Sequence, residues 1–164
     1  MSGHGHSHGH CEHEAQEQPS DLGVEYSLYT KIDTDNVQCL NEVVEGSGKL
    51  VFKPWEKRLE TDQFVESDVD EELLFNVPFT GIVKLKGIIV VGGENDSHPS
   101  KMKLFKNRPH INFDDVSHEA DEEFEMTPDH TGTLEYPIKY DSMFIFFMCC
   151  QFKHQYWFMY WNYM

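Results

Sequence analysis

The chain is 164 residues long, with a formal net charge of −16, 39% hydrophobic and 13% aromatic residues. That length holds one domain with a core plus tails, and so negative a field repels phosphate backbones and anionic lipid, so nucleic acid and membrane surfaces are not expected partners. Cys11, Cys39, Cys149 and Cys150 form no C-x-x-C pair, and the start is rich in His, Gly and Ser rather than basic then apolar; free thiols in a reducing compartment, cytoplasmic and possible for the nucleus, are expected.

Residues 1–20 are a low-complexity stretch read as a disordered His-rich tail. If Met1 is removed, Ser2-Gly3-His4 presents an amine, two backbone nitrogens and an imidazole, a square-planar set for Cu(II) or Ni(II). His6, His8, His10, Cys11 and His13 offer softer sites for zinc. Tail ligands of this kind also bind metal adventitiously, so the folded part is expected to need no cofactor.

An apolar patch opens at Leu22, Val24, Tyr26, Leu28 and Tyr29, and Asp33 or Thr34 is placed to cap helical turns towards Leu40. Cys39 lies among Val37, Leu40 and Val43, the setting of a small buried residue. Trp55, after Pro54, reads as a hydrophobic anchor for its loop, with an exposed interaction hot spot as the alternative. Two acidic runs follow, 60–72 and 114–125. In the first, Glu66, Asp68 and Asp70 alternate but lack the glycine and closing glutamate of an EF-hand, leaving a solvated loop or a docking surface.

From Leu50 to Tyr136 short strands alternate with polar turns. The strongest is Phe79–Val91, where Val83 and Leu85 alternate with Lys84 and Lys86 before an unbroken Ile88-Ile89-Val90-Val91. Residues 101–106 alternate again, and shorter strands are expected at Ile111–Phe113, Phe124–Met126 and Thr133–Tyr136. The spacing, without a long amphipathic helix, predicts an all-β sandwich or jelly roll. If 82–91 pairs with 101–106, Lys84, Lys86, Lys101 and Lys103 form a positive stripe that orients a partner or guards a sheet edge.

Asp141–Met164 differs abruptly: crowded with aromatics, almost uncharged, and broken by Gln151, Lys153 and His154 before it reaches the roughly 20 apolar residues of a membrane span. It reads as non-native sequence and an aggregation hazard. Catalysis needs a nucleophile with an orienting partner. Cys39 and His98 can be named for a thiol-dependent enzyme, but no motif brings them together, and no enzyme is expected.

Three blocks, Gln38-Cys39-Leu40-Asn41-Glu42, Phe52-Lys53-Pro54-Trp55-Glu56-Lys57-Arg58 and 64–88, with Asp96-Ser97-His98-Pro99 and Phe113-Asp114-Asp115, resemble the PITH family, named for proteasome-interacting thioredoxin-like proteins. The resemblance runs from about residue 20 to 136 and implies a jelly-roll β-sandwich without catalytic residues. It also implies association with the proteasome or another protein complex, as an adaptor or regulator. Redox activity is not implied, since the C-x-x-C domain of thioredoxin-like relatives is missing. The expected division is a tail at 1–20, a partial PITH sandwich at 21–137 and a non-family tail at 138–164, with low stability from missing strands. Candidate interaction residues are Trp55, the four lysines, Glu66, Asp68 and Asp70. The alternative function is metal handling by the His tail.

Overall fold

The computed structural model describes Met1 and residues 28–92, 97–152 and 159–162, the last segment as backbone only. Six strands carry it: β1 (Gln38–Leu40), β2 (Glu72–Gly92), β3 (Lys101–Lys106), β4 (Glu122–Glu125), β5 (Glu135–Gln151) and β6 (Met159–Asn162). All pairings are antiparallel, in the order β1-β2-β5-β3-β4, and β6 pairs with the far end of β2.

β2 and β5 are long enough to serve both layers of a sandwich. Their register slips between Pro78 and Val83, where Pro78 cannot donate to the ladder and Gly81 has nothing within 4 Å of a built Cβ. Strands turn corners between sheets at such irregularities. Before the bend Leu73, Phe75 and Val77 face the main core; beyond it Val83, Leu85, Ile88 and Val90 face the same core. The layers meet where the Phe124 ring on β4 lies 5.6 Å from the Tyr136 ring on β5, and Tyr136 Oη accepts from Thr127 N at 2.9 Å. The expected all-β sandwich is the observed one.

The outer face of the first layer is also covered. Leu74, Phe105, Phe147 and Cys149 pack under Ile111 and Val116. The single helical turn Phe113–Val116 carries Val116, and a reciprocal capping box fixes it: Asn112 Oδ1 accepts from Asp115 N at 3.2 Å, and Asp115 Oδ2 from Asn112 N at 3.0 Å. The strand expected at Ile111–Phe113 is therefore a loop entering a helical turn, because the capping side chains compete with ladder pairing. Likewise the turns near Asp33 are short 3₁₀ segments, Leu28–Lys31 and Thr34–Asn36, and the chain then extends into β1.

Two larger expectations are corrected. Residues 82–91 and 101–106 do not pair, because β5 lies between β2 and β3. Nor does residue 137 end the sandwich: it falls inside β5, whose later half supplies Met143, Phe146, Met148 and Cys150 to the main core and Phe147 and Cys149 to the outer cover. The apolar run that read as a foreign tail is, up to Gln151, part of a central strand, and its residues 146–150 are buried on both faces. Among the described residues no helix is long and apolar enough to cross a membrane.

Candidate functional site

Two loops, one leaving β1 and one entering β2, are bonded into a single platform. Asn41 takes a left-handed backbone, φ 69°, which its short polar side chain tolerates. Its Nδ2 donates to the carbonyls of Asp70 at 3.0 Å and Glu72 at 2.8 Å, and its Oδ1 accepts from Val69 N at 3.1 Å. Asp68 N donates to Asn41 O and Val43 N to Glu66 O, both at 2.9 Å. The next turn closes on Glu42, whose carboxylate accepts from Gly46 N, Ser47 Oγ and Gly48 N. Gly48 has to be glycine, since a Cβ there falls 2.3 Å from Cys39 Cβ.

This bonding fixes the backbone and turns aliphatic side chains outward. Val43, Val44 and Val69 are 49%, 64% and 69% exposed. Around them Glu45, Asp68, Asp70 and Glu71 are exposed and Glu66 is half-buried. Rigid loops that hold valines in water among carboxylates suit a partner with apolar contacts and positive charge. Glu66, Asp68 and Asp70 thus lie on the platform, while no group of three or more potential metal ligands forms among the described residues.

Beside the platform, on the outer face, a cavity of about 60 Å³ opens between β1 and the 109–111 loop. Leu40, Leu74, Ile111 and Phe147 give it apolar walls, and Gln38, Asn76 and His110 add polar groups. Asn76 Nδ2 donates to Gln38 Oε1 at 3.4 Å, but the buried Asn76 Oδ1 accepts no hydrogen bond.

The other candidates are dispersed. Trp55 is half-buried against Ile89 and Val91, with the Arg58 guanidinium 3.9 Å from its ring centroid, so it anchors its loop. Lys84 and Lys86 are exposed beyond the bend, whereas Lys101 and Lys103 are half-buried before it. Lys101 Nζ lies 2.7 Å from Glu123 and 3.3 Å from Glu125, and Lys103 Nζ donates to Val116 O at 3.1 Å. The four-lysine stripe required β2 and β3 to be neighbours, and they are not. His4, His6, His8, His10, Cys11 and His13 lie outside the described residues.

Cys39 and His98 sit at opposite ends of β2: Cys39 pairs with Phe75, and His98 Nε2 lies 3.4 Å from Val90 O. Burial pushes the Cys39 thiol well above its ordinary value, and the charges of Glu42 and Cys149 add to this. Burial also pushes the His98 imidazole down, against its contacts with the carbonyls of Pro99 and Val90. A protonated thiol and a neutral histidine a strand apart are not a nucleophile–base pair.

Sequence reading missed the residues that shape these loops. Asn41 and Glu42 carry no local signal, because their partners lie in the 66–72 loop and in the following turn. Asp129 did have one: Asp-x-Thr-Gly-Thr is the composition of a loop folded around a carboxylate. Buried Asp129 accepts from Thr131 N, Thr131 Oγ1, Gly132 N, Thr133 N and Leu134 N at 2.8–3.0 Å.

A family model for the PITH domain matches residues 18–144. This chain belongs to the PITH domain family. The match passes the expected end of the resemblance at residue 136 and enters the second half of β5. PITH domain-containing proteins of Drosophila melanogaster and Homo sapiens are 58% and 56% identical over 139 and 140 residues, or 84% and 83% of this chain. One from Caenorhabditis elegans is 48% identical over 139 residues, 85% of this chain and 67% of its own. The chain spans 66% of the length of the fly and human relatives. Among solved structures, the CBM32-1 and CBM32-2 domains from Clostridium perfringens ZmpB align with a TM-score of 0.58. The alignment covers 88% of this chain and 37% of that one at 11% identity, a likeness of fold alone. None of these relatives is named as an enzyme.

Proposed function

We propose that this PITH domain is a non-enzymatic protein-interaction module that docks on the proteasome or another protein complex as an adaptor or regulator, in the cytoplasm or nucleus. The observation that carries the reading is the platform: Val43, Val44 and Val69 held outward among Glu45, Glu66, Asp68 and Asp70 on loops with little freedom. A surface rigid before binding loses little conformational entropy on docking. Its valines supply desolvation energy at about 25 cal/mol per Å² of apolar area covered, and its carboxylates orient a basic partner. Proteasome association is the family's implied activity, and it is tested directly.

Purified proteasomes are incubated with the protein at low salt and recovered by sedimentation. The wild-type chain co-sediments, and Val44→Arg with Val69→Arg does not, since two cations now oppose a basic partner. Both positions are mostly exposed, so the fold survives and circular dichroism is unchanged. Equal recovery of variant and wild type removes the platform from the reading; no recovery of either removes the proteasome.

A further inference from the structure

Two edges of the first layer contrast. β4 carries Glu122, Glu123 and Glu125, charges of the kind that keep an edge from pairing with another chain. β1, at the other edge, is Gln38-Cys39-Leu40, with neither charge nor proline. Its side chains at Gln38 and Leu40 border the cavity, with Leu74, Asn76, Ile111 and Phe147 as further wall. Directly after Leu40 the chain enters the carboxylate platform, so pairing edge, cavity and negative charge follow one another along a single line.

We infer that β1 is a strand-addition site: an extended basic peptide pairs with the outer edge of Gln38–Leu40, places one small aliphatic side chain in the cavity, and sets its lysines or arginines against Glu45, Asp70 and Glu71. This rests on the interaction-module reading and names the partner class. Strand addition takes affinity from main-chain bonds and selectivity from pockets for alternate side chains. The cavity fixes the pocket residue's size: an apolar cavity that takes a benzene ring measures about 150 Å³, so about 60 Å³ accepts valine or alanine and refuses an aromatic ring. The charge is set by the platform and by the chain's net −16.

The test uses the full chain and three capped probe peptides of equal length. One alternates valine and lysine, one alternates valine and glutamate, and one is the valine–lysine peptide with alternate backbone nitrogens methylated. Binding is followed by amide chemical shifts and by fluorescence anisotropy at low salt. The valine–lysine peptide shifts residues 38–40, Asn76, His110 and Ile111 together with 68–71, and the other two do not bind. Glu45→Lys with Asp70→Lys weakens it about tenfold, as expected for reversing two exposed charges. Leu40→Lys, which guards the edge, abolishes binding while the melting temperature of both variants stays near wild type. Equal binding of the methylated or glutamate peptide, shifts confined elsewhere, or no binding at millimolar peptide overturns the inference. Those outcomes leave the proteasome sedimentation result standing, so the two readings fail separately.

Discussion

Asp129→Asn is the most informative single substitution in the fold, because it preserves shape and removes only charge and one acceptor. Asp129 Oδ1 accepts from Thr131 N (2.9 Å), Thr131 Oγ1 (2.8 Å) and Gly132 N (3.0 Å), and Oδ2 from Thr133 N (2.9 Å) and Leu134 N (2.8 Å). Whichever way an asparagine amide sits, its NH₂ faces at least two donors and bonds to neither. Hydrogen bonds to a charged group contribute about 1.5–3 kcal/mol each. Thr133 and Leu134 are exposed, so water recovers part of their loss. The net cost is about 3 kcal/mol, or about 10 °C in melting temperature for a domain of this size. Urea melts followed by circular dichroism measure it. The pH dependence supplies an independent check. Burial pushes the carboxyl up, and the donors of Leu134, Thr131 and Thr133 outweigh it, leaving it below its ordinary 3.8. With the folded value depressed, this stabilisation is present above pH 3.8 and is lost as pH falls through the folded value. The variant therefore lacks an acid-labile component that the wild type has. A variant within 0.5 kcal/mol of wild type at pH 7, by the roughly ±0.5 expected of neutral surface changes, would refute the argument.

Further outcomes follow from packing and ionisation. Gly92→Ala puts a Cβ 2.3 Å from His98 Cδ2 and 2.7 Å from His98 Cβ, and it destabilises by about 2–3 kcal/mol in the same urea assay, as overpacking does. Burial holds the His98 imidazole below its ordinary 6.5, so the folded state resists its proton. Stability declines as pH falls from 6.5 towards the folded value, and His98→Gln flattens the melting temperature over that window. Cys149 is pushed up to about 12 by burial, with the Glu72 charge adding, and Cys150 well above its ordinary value. At pH 8 roughly one Cys149 in ten thousand is thiolate, so alkylation of both follows the unfolding rate, and rapid native-state labelling would contradict the buried placement. Lys53→Met removes an ammonium that donates to Glu60 O at 2.7 Å and Gln63 O at 3.3 Å; amide exchange across 58–64 then accelerates.

The fold class was legible because alternation survives in β2 and β3: Val83 and Leu85 against Lys84 and Lys86, Met102 and Leu104 against Lys101 and Lys103. Family blocks carried the rest of the middle. Strand order was not legible. Residues 82–91 and 101–106 look like successive partners, and only pairing along both β2 and β3 shows that β5 separates them. The strand character of β5 was not legible because Phe146-Phe147-Met148-Cys149-Cys150 has no polar alternation, and a strand buried on both faces gives the same signal as an apolar tail. The acidic alternation at Glu66, Asp68 and Asp70 was visible, but its meaning needed Asn41. That side chain joins two loops far apart in sequence, and a left-handed asparagine leaves no pattern to read. The lysine stripe failed with its topology.

The central position of β5 bears on the order in which the molecule is made. β2 emerges from the ribosome long before its neighbour: Glu72 meets Gln151 across a sequence separation of 79. Until then Leu74-Phe75-Asn76 has only β1 to pair with, Ile88-Ile89-Val90-Val91 lacks its partners in β5 and β6, and neither layer can close. Pairing over such distances is slow and leaves nascent strands exposed. Closure of both layers therefore waits for the last of the long strands, and the apolar faces of β2 stay uncovered by β5 during that interval.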